Sequence, residues 1–564
     1  MKKILQLLPR INYNQKNKKL YGINLIKYQK KKNLIVKIIR NKTNFYKSHI
    51  SARKLEKQLA KRLIKYLNLI HGTNYSIKTW YIYVGYWLRR YSNIITNRFF
   101  LVKYCSSISD EILIMKNKEK FFYIKDSMDF NLKTSNEIWN IALIEKILPY
   151  LNIKKKILFE DVSYDLEYQE KKNYNKNFKH QLLKIFDIFL SWISSKNDNI
   201  IMISKLTKVS LLKIFFYCKQ IPRFPSTPYY KVGKRNSLLR KKLKKIFFIK
   251  KHNDKIYQCA NNLLFDCLPI SYLEDFKKIE KISKNLNWPS FPNKVITDNH
   301  FDTNEVFKAK ILNNKILNKT KLYIMQHGNN YGTSIHTIDN PEEFTSDKFF
   351  NWGWKSKKKN VIRFFTHSVK KRKQILKGSI CLYLNHKPNF DLPWNNFDEW
   401  EDYIDNQAKF VTNLSEAVKK NFYIKFNDFS NKYNRIMEKK INLKKSKIKI
   451  YDPSKSWSPE ITIFGYDGTG FLENLSDNKP TIAFWDINKS HLRNNVKKDF
   501  KKLEKSSIIF NDPLKTARFI NNNYENIYNW WNKKETKKNI AEFINLYSRK
   551  TPNIEKKIAN ELIK

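Results

Sequence analysis

The stretch "KLYIMQHGNNYGTSIHTIDNPEEFTSDKFFNWGW", from Lys321 to Trp354, gathers residues able to do chemistry. A short apolar run ends in Gln326-His327-Gly328. If "LYIM" is a strand, these three residues sit at its C-terminal lip, within reach of a substrate. An imidazole titrates near neutrality, so His327 can act as a general base on a hydroxyl; it can equally cap a turn. Gly328 permits a positive φ or close approach of a ligand to the backbone. The carboxylates of Glu342, Glu343 and Asp347 follow. One of them can orient the imidazole, and Glu343 and Asp347 are the rival bases. Asn340-Pro341-Glu342-Glu343 also reads as an ordinary helix start, with proline and acids in the first turn. The indoles of "NWGW" can stack on a sugar or base, or fill a core, which is their commoner use.

A second constellation lies in "GYDGTGFLENLSDNKPTIAFW", residues 465–485. A strand ends in a Gly-rich turn and a helix, "GFLENL", begins. Free N–H groups and the dipole at such a helix start favour anions. Thr469 can cap the helix or meet a phosphate oxygen, Gly470 stands beside it at the helix N-terminus, and Glu473 lies one turn in, where a ribose can be held. Lys425, at the end of "NFYIKFN", adds positive charge for a phosphate. Neither the P-loop nor the G-x-G-x-x-G fingerprint is present, and an ordinary βα turn remains the plain reading.

The 564 residues carry 110 Lys+Arg against 50 Asp+Glu, a formal charge of +60. That field attracts polyanions: nucleic acid, an anionic membrane face or a phosphorylated substrate. An A/T-rich codon bias explains the same excess, since Lys, Asn, Ile, Tyr and Phe abound throughout. "RNSLLRKKLKKIFFIKK" (235–251) mixes basic and apolar residues in helical order, suited to an anionic membrane surface, to nucleic acid or to a solvated face. No nucleic-acid-binding module is recognisable, so a nucleic-acid-binding protein is the weaker alternative and no specific nucleic acid is expected. The five cysteines form no C-x-x-C and no histidines cluster at zinc spacing, so no metal site is expected. Scattered cysteines fit a reducing compartment. No apolar run approaches the ~20 residues of a membrane span. The expectation is a cytoplasmic protein.

These residues need a scaffold. With 41% apolar and 15% aromatic residues, large buried cores are available. Helical periodicity over 51–69, 136–151 and 179–193, and an aromatic-rich segment from His71 to Phe99, make the first 200 residues largely α. Short β-like runs then alternate with helical stretches: "NIIMISK", "KVITDNH", "TKLYIMQHG" and "FFNWGW". The pattern restarts at "SICLYL" and continues through "NFYIKFN", "KIKIYD", "ITIFGYD", "PTIAFW" and "SIIF", closing on an amphipathic helix. This predicts an α/β protein of two parts, 1–372 and 373–564, joined through the Lys-rich stretch 368–377. Ligands of open parallel sheets lie at the strand C-terminal ends, so a cleft between two such edges is where chemistry belongs.

Several segments together carry a resemblance. "LNLIHGTNYSIKTWYIYVGYWLRRYSNIITNRF", "SYLEDF", "WPSFPNKVITDNHFDTNEVFKAK", "MQHGNNYG", "SDKFFNWGW" and "GTGFLENLSDNKPTIAFW" resemble, in this order, signatures of a bacterial transferase family of O-antigen and surface-polysaccharide gene clusters. The likeness spans roughly residues 60–550. It departs at Gly328-Asn329, where the family has Gly-Gly. The family is similar to GT-B glycosyltransferases. The resemblance implies two Rossmann-like domains facing a cleft, with acceptor on the N-terminal side and donor on the C-terminal side. It also implies catalysis without a metal or other cofactor, the nucleotide-sugar being a substrate. The partners it implies are that donor and a lipid-linked or polysaccharide acceptor, at the inner face of the plasma membrane. Transfer of a glycerol or polyol phosphate from a CDP-linked donor is the alternative within enzymes.

Overall fold

The structure, a computed structural model, describes residues 3–7, 24–29, 32–36, 42–116, 122–160, 188–367, 373–385, 392–394, 400–426, 437–443, 446–489 and 491–564. Residues 179–187 of the expected fourth helix and 368–372 of the expected linker lie outside them.

Three sheets organise the chain. The first comprises β1 (Lys3–Leu7), β2 (Asn24–Gln29), β3 (Lys32–Val36), β4 (Glu111–Met115) and β5 (Lys156–Glu160). Its order is β3-β2-β1-β4-β5, with antiparallel pairing on the β1–β2–β3 side and parallel pairing through β4 and β5. This corrects the expectation of a largely helical start. The expected helices are there, at Lys42–His71, Ile77–Ile108 and Glu137–Ile147, but they accompany a mixed sheet.

The central sheet is β6 (Ile200–Met202), β7 (Lys294–Thr297), β8 (Lys321–Met325), β9 (Lys348–Asn351) and β10 (Val361–Arg363). All its pairings are parallel, in the sequential order β10-β9-β8-β7-β6. The third sheet is β11 (Gln374–Tyr383), β12 (Phe422–Lys425), β13 (Lys449–Ile450), β14 (Trp457–Phe464), β15 (Thr481–Phe484) and β16 (Ile509–Phe510). It too is wholly parallel, ordered β13-β12-β11-β14-β15-β16. Counted from its first strand that is 3-2-1-4-5-6, with a topological switch between β11 and β14, where ligands of such sheets bind. The central sheet has no such switch, so the two halves differ in strand order.

The short strands read as apolar runs because both faces are covered. β7 and β15 are buried at every position, as parallel sheets flanked by helices require. The helix Ile77–Ile108 packs inside, with Trp80, Trp87, Tyr83 and Tyr91 fully enclosed, and it buries Arg89 and Arg98 as well. Ser76 caps it by accepting from the Thr79 N–H. The largest core cluster is continuous across the central and third sheets, joining Ile324, Phe349 and Trp352 to Phe464, Phe471 and Leu492. The last helix, Ile554–Ile563, does not stay with the third sheet. Ile554, Ile558 and Leu562 pack with Ile201, Phe215 and Tyr323 of the central one, so the chain ends on its earlier half. Among the described residues, no helix is long and apolar enough to cross a membrane.

Candidate active site

The strands of the central sheet are parallel, so their C-terminal ends share one edge. That edge carries Lys205 after β6, Asp298 after β7, His327 after β8, Trp352 after β9 and His367 after β10. The loop after β8 meets the turn after β14. The Asn329 N–H donates to Thr469 Oγ1 at 3.1 Å, and its side-chain amide donates to the Asp467 carbonyl at 3.0 Å. Lys205 Nζ lies 3.8 Å from Glu473 Oε1 and 5.3 Å from the centre of the Trp352 ring. Arg493 donates to the Ser334 carbonyl at 2.9 Å. The C-terminal edges of two parallel sheets therefore face one another across a contact seam.

His327 is the central group. Burial depresses its pKa to about 4, so the ring is neutral at physiological pH. Its Nδ1 is 3.1 Å from the Tyr331 hydroxyl, and Tyr331 donates in turn to Glu342 Oε1 at 2.5 Å. Tyr86, from the long buried helix, donates to the same carboxylate oxygen. Glu342 is buried, which raises its pKa to about 7 against the two phenolic bonds. With the Tyr331 proton committed to an ionised Glu342, the Tyr331 oxygen accepts from Nδ1–H of His327. That tautomer leaves the Nε2 lone pair of His327 free to take a proton.

Two further histidines are held by aspartates. His367 Nε2 is 3.3 Å from Asp298 Oδ2, both fully buried. Burial would raise the Asp298 pKa, but the His367 bond and charge, with the Ser204 N–H and hydroxyl, bring it down to about 2. On the opposite lip His491 Nε2 is 2.8 Å from Asp467 Oδ2. Among the described residues, no three His, Cys, Asp or Glu side chains gather as a metal site.

The structure redistributes the residues expected from sequence. Gln326 is not available to a ligand: its side chain donates to the Gly328 carbonyl at 2.7 Å and accepts from the Trp352 N–H and Trp354 Nε1. It holds the lip instead. The two tryptophans are buried and fill the core, and the loop glycines make room for protein rather than ligand. At Gly332, φ is +76° and a Cβ would lie 2.5 Å from the Trp354 ring; at Gly353, φ is +130° and a Cβ would lie 2.6 Å from the Asn545 carbonyl. Asp347 precedes β9 at the opposite edge of the sheet, bound to Lys315 at 2.5 Å and to the Leu322 N–H at 2.7 Å. It is removed from the cleft. Glu343 is buried and paired with Lys358 at 2.7 Å. The acid that reaches the imidazole is its neighbour Glu342, through Tyr331. Gly328 faces Thr469, whose hydroxyl a Cβ there would approach to 3.3 Å. Thr469 does not cap its helix; Gly468 holds the cap position and the Thr469 hydroxyl binds Asn329. Gly470 packs on Phe464, and Lys425 sits 4.7 Å over the Tyr383 ring beside the switch point.

Asp298, Asp467 and His491 were missed, although each follows a readable strand by a few residues. Tyr86 and Lys205 carry no local signal. Comparison with known proteins now adds to this geometry. No curated protein matches the chain. The model of the LIC12162 family transferase matches residues 23–562, nearly the whole length, and the protein belongs to that transferase family.

Proposed function

We propose that the protein is a glycosyltransferase of GT-B type, moving a sugar from a nucleotide-activated donor to a cell-surface polysaccharide acceptor. The observation that carries this is the opposition of a neutral, oriented His327 to a switch-point edge of 3-2-1-4-5-6 order. In this reading the nucleotide lies against the third sheet, with Lys425 near its phosphates and Glu473 on its ribose. The start of the helix Thr469–Ser476 faces the diphosphate. Donor binding displaces Asn329 from Thr469 and separates Lys205 from Glu473, so that Lys205 turns to the leaving phosphate. The acceptor hydroxyl oxygen attacks the anomeric carbon, the bond to the phosphate oxygen breaks, and the hydroxyl proton passes to His327 Nε2. The positive groups carry the leaving charge, and the reading includes no metal or other cofactor. The acceptor is lipid-linked or polysaccharide and approaches from the central sheet.

The test is a panel of nucleotide sugars incubated with purified protein, read by nucleotide release and by mass of the product. Sugar transfer with release of the nucleotide is expected. Absence of binding to any nucleotide would sink the reading. Transfer of a phosphorus-bearing group from a CDP-linked donor would replace it with polyol-phosphate transfer.

A further inference from the structure

The N-terminal edge of the central sheet lies on the side away from the cleft. There a cavity of about 530 Å³ is lined by Asn197, Phe291, Lys294, Asn318, Lys319 and Lys321. Lys321 opens β8 and is exposed beside the cavity, while Lys294, which opens β7, is buried and donates to the Leu562 carbonyl at 2.7 Å, so Lys319 and Lys321 are the lysines free to meet an anion there. Lys319 is exposed and held in a left-handed conformation at a helix end.

Large apolar side chains stand in water on the cavity wall and on the segments joined to it. Phe291 on its wall is 53% exposed, Leu317 71%, Trp192 77% and Phe216 80%. The helix Lys208–Tyr217 explains part of this. Its Ile214 and Phe215 are buried in the core, while Val209, Leu212 and Phe216 form a second apolar stripe that faces outward. The pieces are tied together. Lys196 accepts from the Phe291 N–H, Arg223 donates to Ser194 at 2.9 Å, and the Phe224 ring packs edge-on against Phe215. Lys196, Lys208, Lys213 and Lys219 on these segments are exposed. Single exposed apolar residues need no explanation, but several on segments tied together in this way, with exposed lysines among them, mark an interaction surface.

We propose that this face docks on an anionic phospholipid bilayer. The lysine-lined cavity receives lipid phosphate, while Trp192, Phe216, Phe291 and Leu317 enter the headgroup–acyl boundary. Trp is suited to that boundary, and long lysine stems reach from it to the phosphate plane. Charge complementarity selects the occupant: apolar tips interspersed with ammonium groups match a surface that is anionic outside and apolar beneath. The expected basic segment 235–251 is the rival. Its helix Ser237–Phe247 exposes Leu238 and Ile246, and Phe248 just after it is exposed too, but Arg240 is turned inward onto Glu274 and the Phe265 and Leu268 carbonyls. The docking face stands apart from the chemistry assigned to the cleft, and its failure leaves the transferase reading intact.

The test uses the full chain and sucrose-loaded vesicles of phosphatidylcholine with about one-third phosphatidylglycerol. A variant carrying W192S, F216S, F291S and L317S keeps the net charge and removes only exposed apolar groups. Its partition onto these vesicles should fall at least about tenfold, with melting unchanged. K319Q with K321Q should weaken binding severalfold, and L238S with F248S should leave it unchanged. Wild-type protein should bind pure phosphatidylcholine far more weakly. The proposal is overturned if the fourfold variant partitions like wild type, since diffuse charge then does the binding. It is equally overturned if L238S with F248S accounts for the loss, or if the fourfold variant instead only dissociates a protein dimer.

Discussion

Replacing Tyr331 by phenylalanine removes one oxygen from the site and tests the orientation of His327. The hydroxyl spans 2.5 Å to Glu342 Oε1 and 3.1 Å to His327 Nδ1. In Tyr331→Phe the Nδ1–H tautomer loses its acceptor, a net hydrogen bond of about 1 kcal/mol, so its ratio to the other tautomer falls roughly fivefold. Turnover should drop by up to about fivefold with nucleotide affinity unchanged. His327→Ala should cost about 10²–10⁴-fold, the usual range for a lost general base. The pH profile supplies a second reading. Glu342 gains its charge as pH rises through about 7. Below that value the protonated acid lets the Tyr331 proton turn toward Nδ1, which favours the Nε2–H tautomer that cannot take a proton. Turnover of wild type should therefore fall as pH drops through about 7, well above the His327 value of about 4. In Glu342→Gln that limb should flatten at low turnover. The assay is steady-state nucleotide release from the active donor, with separate titration of nucleotide binding. Full turnover in Tyr331→Phe alongside a collapsed His327→Ala would refute the tautomer argument. Full turnover in both would remove His327 from the chemistry.

Other outcomes follow from the same contacts. Glu342 has its folded pKa raised above the ordinary 4.5, so the stability due to its neutral form is lost as pH rises from about 4.5 through 7. Linkage puts that loss at roughly 3 kcal/mol at most, and Glu342→Gln, which removes the buried charge at nearly constant volume, should melt higher than wild type at pH 8 but not at pH 4. Gly332→Ala combines a left-handed φ with a clash against the buried Trp354 ring and should destabilise by about 2 kcal/mol or more in denaturant melts. Glu473→Ala should weaken nucleotide binding by about 1–3 kcal/mol if it holds a buried hydroxyl, measured by calorimetry; unchanged affinity in the folded variant counts against that subsite. Turnover should survive a chelator, and abolition restored by magnesium or manganese would overturn the reading without a metal.

Much of the fold was legible because parallel strands buried on both faces become short apolar runs. "KVIT", "LYIM", "TIAF" and "SIIF" announce themselves without their partners. The first sheet was not legible for the opposite reason. Its strands "KILQL", "NLIKYQ" and "KNLIV" are short and interrupted by polar residues. The β2–β3 hairpin pairs Gln29 with Lys32 around Lys30-Lys31, without the Asn-Gly or Asp-Gly that marks such turns. Strand order was equally invisible, since no local pattern says that β14 pairs with β11 rather than with β13.

The site divides along the same line. A strand end is a local event, so His327 could be placed on a lip from the run before it. Choosing among Glu342, Glu343 and Asp347 was a tertiary question. Glu342 and Glu343 are adjacent in the short helix Pro341–Thr345, and that single step turns the first toward Tyr331 and Tyr86 and the second toward Lys358. Asp347 lies only two strand-ends away in sequence, yet it precedes β9 whereas His327 follows β8, and parallel pairing puts those positions at opposite edges. The departure at Asn329 follows the same logic. A second glycine there would offer no side chain, whereas Asn329 donates to Asp467 and engages Thr469, binding the two lips together. Asn329→Gly should therefore loosen the seam without touching the His327 relay. Its expected signature is faster hydrogen exchange in 328–334 and 466–472 with an unshifted pH limb. An unchanged exchange rate would mean that the seam is held without the Asn329 side chain, by the Asn329 N–H to Thr469 bond and by contacts such as those of Arg493 and Lys205.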